Sequence, residues 1–157
     1  MAARIYVHWT ATGYDWIRPG HYHSIITGDG RVNRLHSYSV DLPAHTWQRN
    51  TNAVALSCSC MGGIPGPWSQ PPTPQQRESL CAETASIARS WGWSASDIKI
   101  NTVMTHAEAA SNRDGRTMHE NYGPVIWAGS GERWDLLQLN RKALAMVVNH
   151  CAQAFRR

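Results

Sequence analysis

The sequence lacks any long apolar run, and this absence excludes two classes of protein. No stretch approaches the roughly 20 consecutive apolar residues of a membrane-spanning helix, so we expect no membrane insertion. Near the N-terminus, Ile5-Tyr6-Val7 is followed at once by His8, which makes this run too short for the core of an export signal. We therefore expect synthesis in the cytoplasm without a signal peptide, so that any action outside needs a dedicated or lysis-linked export route.

Charged side chains are also scarce, at 17% of the residues against about 25% in an average protein. The net charge is only +4, and the basic residues do not cluster beyond the pair Arg156 and Arg157. A nucleic-acid-binding protein carries a basic patch, so we expect no nucleic-acid partner; a strongly salt-dependent affinity for DNA would indicate the contrary. The same mild charge suits another anionic polymer equally well.

Cysteine is sparse and poorly arranged for a metal or a disulfide. The chain has four cysteines. Cys58 and Cys60 lie two apart in a predicted strand, on one face, where they cannot easily bridge. A cysteine-type zinc site needs a second close pair, which the sequence does not have. We expect the cysteines to be buried thiols that pack as small apolar side chains.

The length, the hydrophobic content and a predicted hairpin of the chain indicate one α/β domain over residues 1–157. A chain of 157 residues has the length of one domain, and 42% hydrophobic residues is near the globular norm. Asp29-Gly30 between two apolar runs predicts a β-hairpin, because these residues tolerate positive φ. The hairpin makes the sheet mixed, so we expect a central mixed β-sheet flanked by helices. The predicted strands cover 3–9, 22–27, 31–36, 53–60 and 98–105, and the predicted helices cover 74–91 and 139–155.

Three segments allow sharper local predictions. In 53–60 the larger residues stand at even positions and Ala or Ser at odd positions. This predicts a central strand whose small face leaves room for something to lie over it. Thr73, Pro74 and Gln76 predict a helix start, as N-cap, first helical residue and closing residue of a capping box. The stretch 64–74 holds five prolines and is predicted to be a loop.

Three polar residues combine into a candidate metal site. His8 and His106 each stand at the end of a predicted strand, where open α/β sheets place ligands, and Asp135 follows an irregular segment. Two imidazoles and one carboxylate on a tetrahedral Zn²⁺ leave one position for water, which the metal activates. The spacing alone is not specific, because polar strand-end residues with local hydrogen bonds would show it too.

Seven short segments occur in the order found in one protein family, over about residues 4–139. They are 7–12 (VHWTAT), 22–32, 45–52, 54–63, 73–76 (TPQQ), 105–108 (THAE) and 133–135 (RWD). In these segments the chain resembles the zinc-dependent N-acetylmuramoyl-L-alanine amidases, which include phage amidase-type lysozymes and peptidoglycan recognition proteins. The resemblance implies a central mixed sheet flanked by helices, with zinc in a surface groove.

The resemblance also implies roles for individual residues. His8, His106 and Asp135 match the three zinc ligands of the family. Tyr22 matches a tyrosine that in some members hydrogen-bonds near the zinc-bound water. Arg133 stands where many members carry a lysine that steadies the oxyanion, and arginine keeps the charge and offers donors in a fixed fork.

Two further features concern the proton and the substrate. Some members carry a catalytic glutamate on the central strand, and the matching position here is Ser59. The base must therefore come from elsewhere, with Glu108 as a candidate, or from the metal hydroxide itself. His45 resembles a residue of the family's groove. We expect it to contact the substrate together with Asn52 of the same segment and Trp9, whose flat ring suits sugars.

The function that the resemblance implies is hydrolysis of peptidoglycan. The expected enzyme is an amidase that cleaves the bond between N-acetylmuramic acid and L-alanine, as a monomer that acts on the cell wall. The alternative is a non-catalytic peptidoglycan-binding module of the same fold, which would need a damaged metal triad. A bacteriolytic phage endolysin, a secreted effector and a wall-recycling enzyme all fit the sequence.

Overall fold

The computed structural model describes residues 3–46, 49–63, 66–99, 101–106 and 109. Its central sheet has five strands, which are β1 (Arg4–Trp9), β2 (Ser24–Ile26), β3 (Val32–Arg34), β4 (Ala53–Cys58) and β7 (Val103–Thr105). They lie in the order β3-β2-β4-β1-β7. Strand β1 runs parallel to β4 and β7, β2 runs parallel to β4, and β3 is antiparallel to β2. The predicted α/β fold with a mixed central sheet is confirmed.

The β2–β3 hairpin forms around the predicted Asp29-Gly30 turn. The Asp29 Oδ1 atom accepts hydrogen bonds from Thr27 Oγ1 at 2.7 Å and from the Arg31 N–H at 3.0 Å. Gly30 has φ +86°, a conformation that glycine adopts without strain. The hairpin is therefore confirmed, although its paired strands are shorter than the predicted 22–27 and 31–36.

Helix α1 (Pro74–Ser90) begins as its sequence predicts. The Thr73 side chain accepts the Gln76 N–H at 3.0 Å, and the Gln76 side chain accepts the Thr73 N–H at 2.9 Å. Gln76 is fully buried, and its Nε2 donates to the backbone oxygens of Ile26 and Ser59 at 2.8 and 2.9 Å. One side chain thus caps the helix and ties it to the ends of β2 and β4.

We expect Gln76→Ala to lower the free energy of unfolding by about 2–3 kcal/mol. The change removes one half of the capping box and leaves the buried Ser59 oxygen without this donor. Gln75→Ala, at the neighbouring exposed position, is the matched control and should change stability by less than about 0.5 kcal/mol. Urea unfolding followed by circular dichroism measures both, and equal midpoints would contradict the bridging role of Gln76.

The two faces of the central sheet differ in composition. The face toward α1 is apolar, and its buried core includes Ile5, Val7, Val54, Leu56 and Leu80. The opposite face carries the alternate residues, which are Tyr6 and His8 on β1 and the small face of β4, defined as Ala53, Ala55 and Ser57. The predicted alternation in β4 is confirmed.

Two predicted boundaries are wrong. The stretch 64–74 was expected to be a loop, but β5 (Met61–Gly63) and β6 (Gly66–Gln70) pair as a separate antiparallel sheet. A proline is tolerated in a strand where its missing N–H faces away from the paired neighbour. The strand predicted over 98–105 is paired only from Val103, because the Val103 N–H donates back to the Lys99 oxygen at 2.8 Å. A short 3-10 helix (Ala95–Asp97) precedes Lys99, and the predicted helix 139–155 lies outside the described residues.

Cys58, Cys60 and Cys81 are buried free thiols, as predicted. Burial, with a smaller contribution from Cys81, raises the pKa of Cys58 to about 12. Cys151 lies outside the described residues. Among the residues the structure describes, no helix is both long enough and apolar enough to span a membrane.

Candidate functional site

The sheet brings His8 and His106 together. His8 lies in β1 beside Ser57 of β4, and Val7 pairs with Thr105, the last residue of β7. His106 therefore follows directly beside His8. Their Nδ1 atoms are 3.1 Å apart, and the ring centroids are 4.8 Å apart at 75°. Two of the three predicted metal ligands thus converge through parallel pairing across 98 residues of chain.

The separation of these two nitrogens fits a shared zinc ion. Two imidazole nitrogens bound to one tetrahedral zinc, each at about 2.0–2.1 Å, lie roughly 3.3–3.4 Å apart. The observed distance of 3.1 Å between the two Nδ1 atoms is close to this nitrogen–nitrogen separation. The other ring nitrogen of His8, Nε2, faces the Thr46 hydroxyl at 3.3 Å, as zinc-binding histidines usually face a hydrogen-bond partner. The residues present therefore fit the metal that the sequence predicts.

His8 is held in its neutral form. Its side chain is only 1% exposed, and burial, together with the nearby His106 and His45, keeps its pKa well below the usual value. A neutral imidazole offers the free lone pair that a metal ion requires. His8 therefore has no proton to lose before it can bind a metal ion at neutral pH.

A tight turn places His45 and Thr46 above the sheet. The Asn50 Oδ1 atom accepts the N–H groups of His45 and Thr46 at 3.2 and 3.1 Å. The Arg49 N–H donates to the Thr46 oxygen at 2.9 Å. In the turn, the Thr46 hydroxyl lies 2.8 Å from His45 Nδ1. The predicted groove residue His45 is thus joined to His8 through one buried hydroxyl.

His45 lies over the small face of β4. Its ring centroid is 5.7 Å from Tyr6, 5.5 Å from His8 and 6.1 Å from His23. Tyr6 and His8 stand on β1 and His23 precedes β2, so the ring lies above the strand between them. The room left by alanine and serine on β4 is therefore occupied by the His45 ring. We call His8, His45 and His106 the histidine cluster.

Two buried polar atoms in this region have no hydrogen-bond partner among the described residues: His45 Nε2 and Ser57 Oγ. Burial, followed by the effects of His23 and His106, lowers the pKa of His45 to about 3, so this ring is neutral. Buried polar groups are nearly always satisfied. The partner of each atom therefore lies outside the described residues, as water, a ligand group or another part of the chain.

Tyr22 and His23 are adjacent but differ in their bonding. The half-buried ring of Tyr22 lies 5.1 Å from the ring of His8, so the structure brings this predicted residue to the cluster. His23 is fully buried, accepts the Ala55 N–H at Nδ1 (3.0 Å) and donates from Nε2 to the Asp41 oxygen (3.1 Å). Both nitrogens of His23 are thus used within the fold.

Two predicted substrate contacts lie away from the cluster. Trp9 stands on the face of β1 opposite His8 and packs against the core beneath α1. Asn52 precedes β4 with φ +53°, at the end of the strand remote from His8. Ser57 lies five positions after Asn52, which at about 3.3 Å per position is roughly 16 Å. The left-handed backbone at Asn52 suits asparagine, which adopts this conformation more readily than most residues.

The other predicted site residues fall outside the described part of the chain. Glu108, Arg133 and Asp135 belong to this group. Within the described ranges, no group of three histidine, cysteine or acidic residues forms a complete metal site. Ser59, expected at the place of a strand glutamate, donates from its hydroxyl to the Trp16 oxygen at 2.6 Å. Ser57, two residues earlier, is the serine beside His8.

Sequence reasoning missed Thr46, Asn50 and Ser57 as members of the site. Thr46 and Asn50 lie in a loop, where no periodicity indicates which side chains face the sheet. Ser57 carries a usable signal, because it belongs to the small face of the predicted strand. Only the β1–β4 register, which pairs His8 with Ser57, shows that this serine stands beside the predicted metal ligand.

Solved structures of similar fold are peptidoglycan amidases. The N-acetylmuramyl-L-alanine amidase AmiD from E. coli, solved with its substrate anhydro-N-acetylmuramic acid-L-Ala-D-gamma-Glu-L-Lys, matches with a TM-score of 0.54 and 17% identity. The match covers 70% of this chain and 50% of that one, so this chain spans about half the length of AmiD. The endolysin amidase LysCS and the amidase LysC, both from Clostridium intestinale URNW, match with TM-scores of 0.50 and 17% identity. They cover 76% of this chain and 75% and 76% of their own.

Sequence comparison adds no relative to these. No protein-family model and no curated protein matches the sequence. At 17% identity, the likeness establishes the fold. The chain shares the mixed central sheet and packed helix of N-acetylmuramoyl-L-alanine amidases.

Proposed function

We propose that this protein is a zinc-dependent amidase that hydrolyses the bond between N-acetylmuramic acid and the L-alanine of the peptidoglycan stem peptide. The observation that carries the proposal is the meeting of His8 and His106, with Nδ1 atoms 3.1 Å apart, at the strand ends of this fold. Neutral, convergent imidazoles of this kind are typical metal ligands. The amidases of similar fold supply the reaction class.

His8 and His106 would hold the zinc through Nδ1, with Asp135 as the proposed third ligand. A zinc ion with three protein ligands lowers the pKa of bound water toward about 7 and polarises a carbonyl, which is what amide hydrolysis needs. The burial of His8 and its contact with Thr46 fix its ring orientation before the metal binds. Of the proposed ligands, His8 therefore needs little rearrangement to bind the metal.

The remaining proposed roles concern the proton and the substrate. The Tyr22 phenol, beside His8 and partly exposed, orients the attacking water or the substrate carbonyl by a hydrogen bond. Arg133 stabilises the negative charge that develops on the carbonyl oxygen, and Glu108 handles the proton that passes to the leaving amine. We propose His45 as the substrate contact nearest the metal ligands, with Asn52 more remote.

Digestion of purified peptidoglycan tests the proposed reaction. We expect new L-alanine amino termini and no new reducing sugar ends, because amide cleavage frees an amine whereas glycoside cleavage frees a reducing end. Removing the metal with a chelator should stop the release, and added zinc should restore it. Mass spectrometry of the soluble fragments identifies the bond.

Two outcomes would contradict this function. Reducing ends without new amines would indicate a glycosidase. Binding to peptidoglycan without any product, from protein that carries a full complement of zinc, would indicate the recognition module instead. For the enzyme, we propose the cell wall as the place of action, reached by lysis-linked or dedicated export, as for an endolysin.

A further inference from the structure

Thr46 joins two members of the histidine cluster through a single hydroxyl group. Its Oγ1 lies 2.8 Å from His45 Nδ1 and 3.3 Å from His8 Nε2. Thr46 itself is only 2% exposed. A threonine hydroxyl has one proton to donate and can accept at the same oxygen. It can therefore donate to only one of the two rings and must accept from the other.

The distances and the metal site decide the direction. The shorter contact, to His45, is the one expected for donation by the hydroxyl. If His8 binds a metal through Nδ1, its neutral ring carries the proton on Nε2, which can then only donate to Thr46. Both arguments give the same order: His8 Nε2–H donates to Thr46 Oγ1, and the Thr46 O–H donates to His45 Nδ1.

We propose that Thr46 is a positioning residue that sets the tautomers of both histidines. It holds His8 with Nδ1 free for the metal, and it holds His45 with a proton on Nε2. We call this chain of hydrogen bonds, from His8 through Thr46 to His45, the relay. It ends on the buried His45 Nε2, which has no partner among the described residues and which the relay makes a hydrogen-bond donor. The group that completes it is therefore an acceptor, such as a carbonyl or carboxylate oxygen.

The backbone around Thr46 supports this role. Asn50 Oδ1 fixes the N–H groups of His45 and Thr46, and the Arg49 N–H closes the turn on the Thr46 oxygen. The backbone that carries the hydroxyl is therefore held in place by contacts that do not involve either histidine ring. A residue that orients a metal-binding histidine in this way typically contributes 10–100-fold to metal affinity.

Zinc affinity of Thr46 variants is the first test. Thr46→Val keeps the shape and removes the hydroxyl, so we expect zinc to bind about 10–100-fold more weakly, with a lower thermal midpoint but a sheet and helix that circular dichroism shows to be retained. Thr46→Ser keeps the hydroxyl and is the matched control, which should bind zinc within about threefold of the unmodified protein. Competition with a chromophoric chelator measures each dissociation constant. Equal affinity in Thr46→Val and the unmodified protein would overturn the proposal.

A second measurement needs no substitution and no activity. Two-dimensional ¹H–¹⁵N spectra of the histidine rings report which nitrogen carries the proton, and we expect His45 to show Nε2–H with and without zinc. A proton on His45 Nδ1 would overturn the proposal even if Thr46→Val failed to fold. The part of the inference that concerns the metal rests on the proposed function. If the protein bound no zinc, the proposed function would fail. The His45 tautomer would still show whether the Thr46 hydroxyl donates to His45 Nδ1.

Discussion

The His106→Ala protein is expected to lose its zinc and at least about 10³-fold of its amidase activity, because the metal supplies several kcal/mol of transition-state stabilisation. His106 follows the short strand β7 and is only half-buried, so the fold should survive the change. Elemental analysis of the purified protein and the release of amino termini measure the two losses. Circular dichroism checks that the sheet and helix remain.

His21→Ala is the matched control for this experiment. His21 is an exposed histidine, and its removal should leave zinc content and activity within about twofold of the unmodified protein, as for most surface changes. Full zinc retention in His106→Ala would show that His8 and His106 meet for another reason. The hydrogen bond between their Nδ1 atoms would then be the whole of their contact.

Tyr22→Phe should keep both zinc and fold but lower kcat by about 10²–10⁴-fold, the usual contribution of a group that handles a proton. The ring lies 5.1 Å from that of His8, and phenylalanine keeps this packing while removing only the hydroxyl. Tyr14→Phe provides the control, because the Tyr14 hydroxyl donates to the Pro71 oxygen at 2.8 Å, outside the cluster. A kcat for Tyr22→Phe within twofold of normal would assign Tyr22 to packing alone. Proton handling would then fall to Glu108 or the metal hydroxide.

The parts of the fold that were predictable are those specified by neighbouring residues. The Asp29-Gly30 turn, the capping box of Thr73 and Gln76 and the size alternation of β4 each depend on a few adjacent positions. The start of β7 at Val103 was not predictable. Lys99 and Thr102 are hydrogen-bonded to each other within residues 98–105, where the sequence pattern predicts one continuous strand. The β5–β6 pairing likewise depends on two segments whose prolines indicate a loop.

The site was predictable only where a strand carries its residues. The meeting of His8 and His106 was predictable because both stand at the ends of strands, where open parallel sheets place their ligands. Thr46 is brought to them by a turn, and the choice between Ser57 and Ser59 depends on register. Both serines stand at odd positions of the predicted strand 53–60 and so share a face. Only the pairing of His8 with Ser57 shows which of them lies beside the metal ligand.

The buried thiols bear on how this protein would tolerate leaving the cell. Oxidation and alkylation of cysteine both proceed through the thiolate. With the pKa of Cys58 near 12, only about one molecule in 10⁵ carries that thiolate at pH 7. Burial raises the pKa of Cys60 further in the same direction. In the folded chain these two cysteines are therefore almost inert, and passage from a reducing to an oxidising compartment would leave them unchanged.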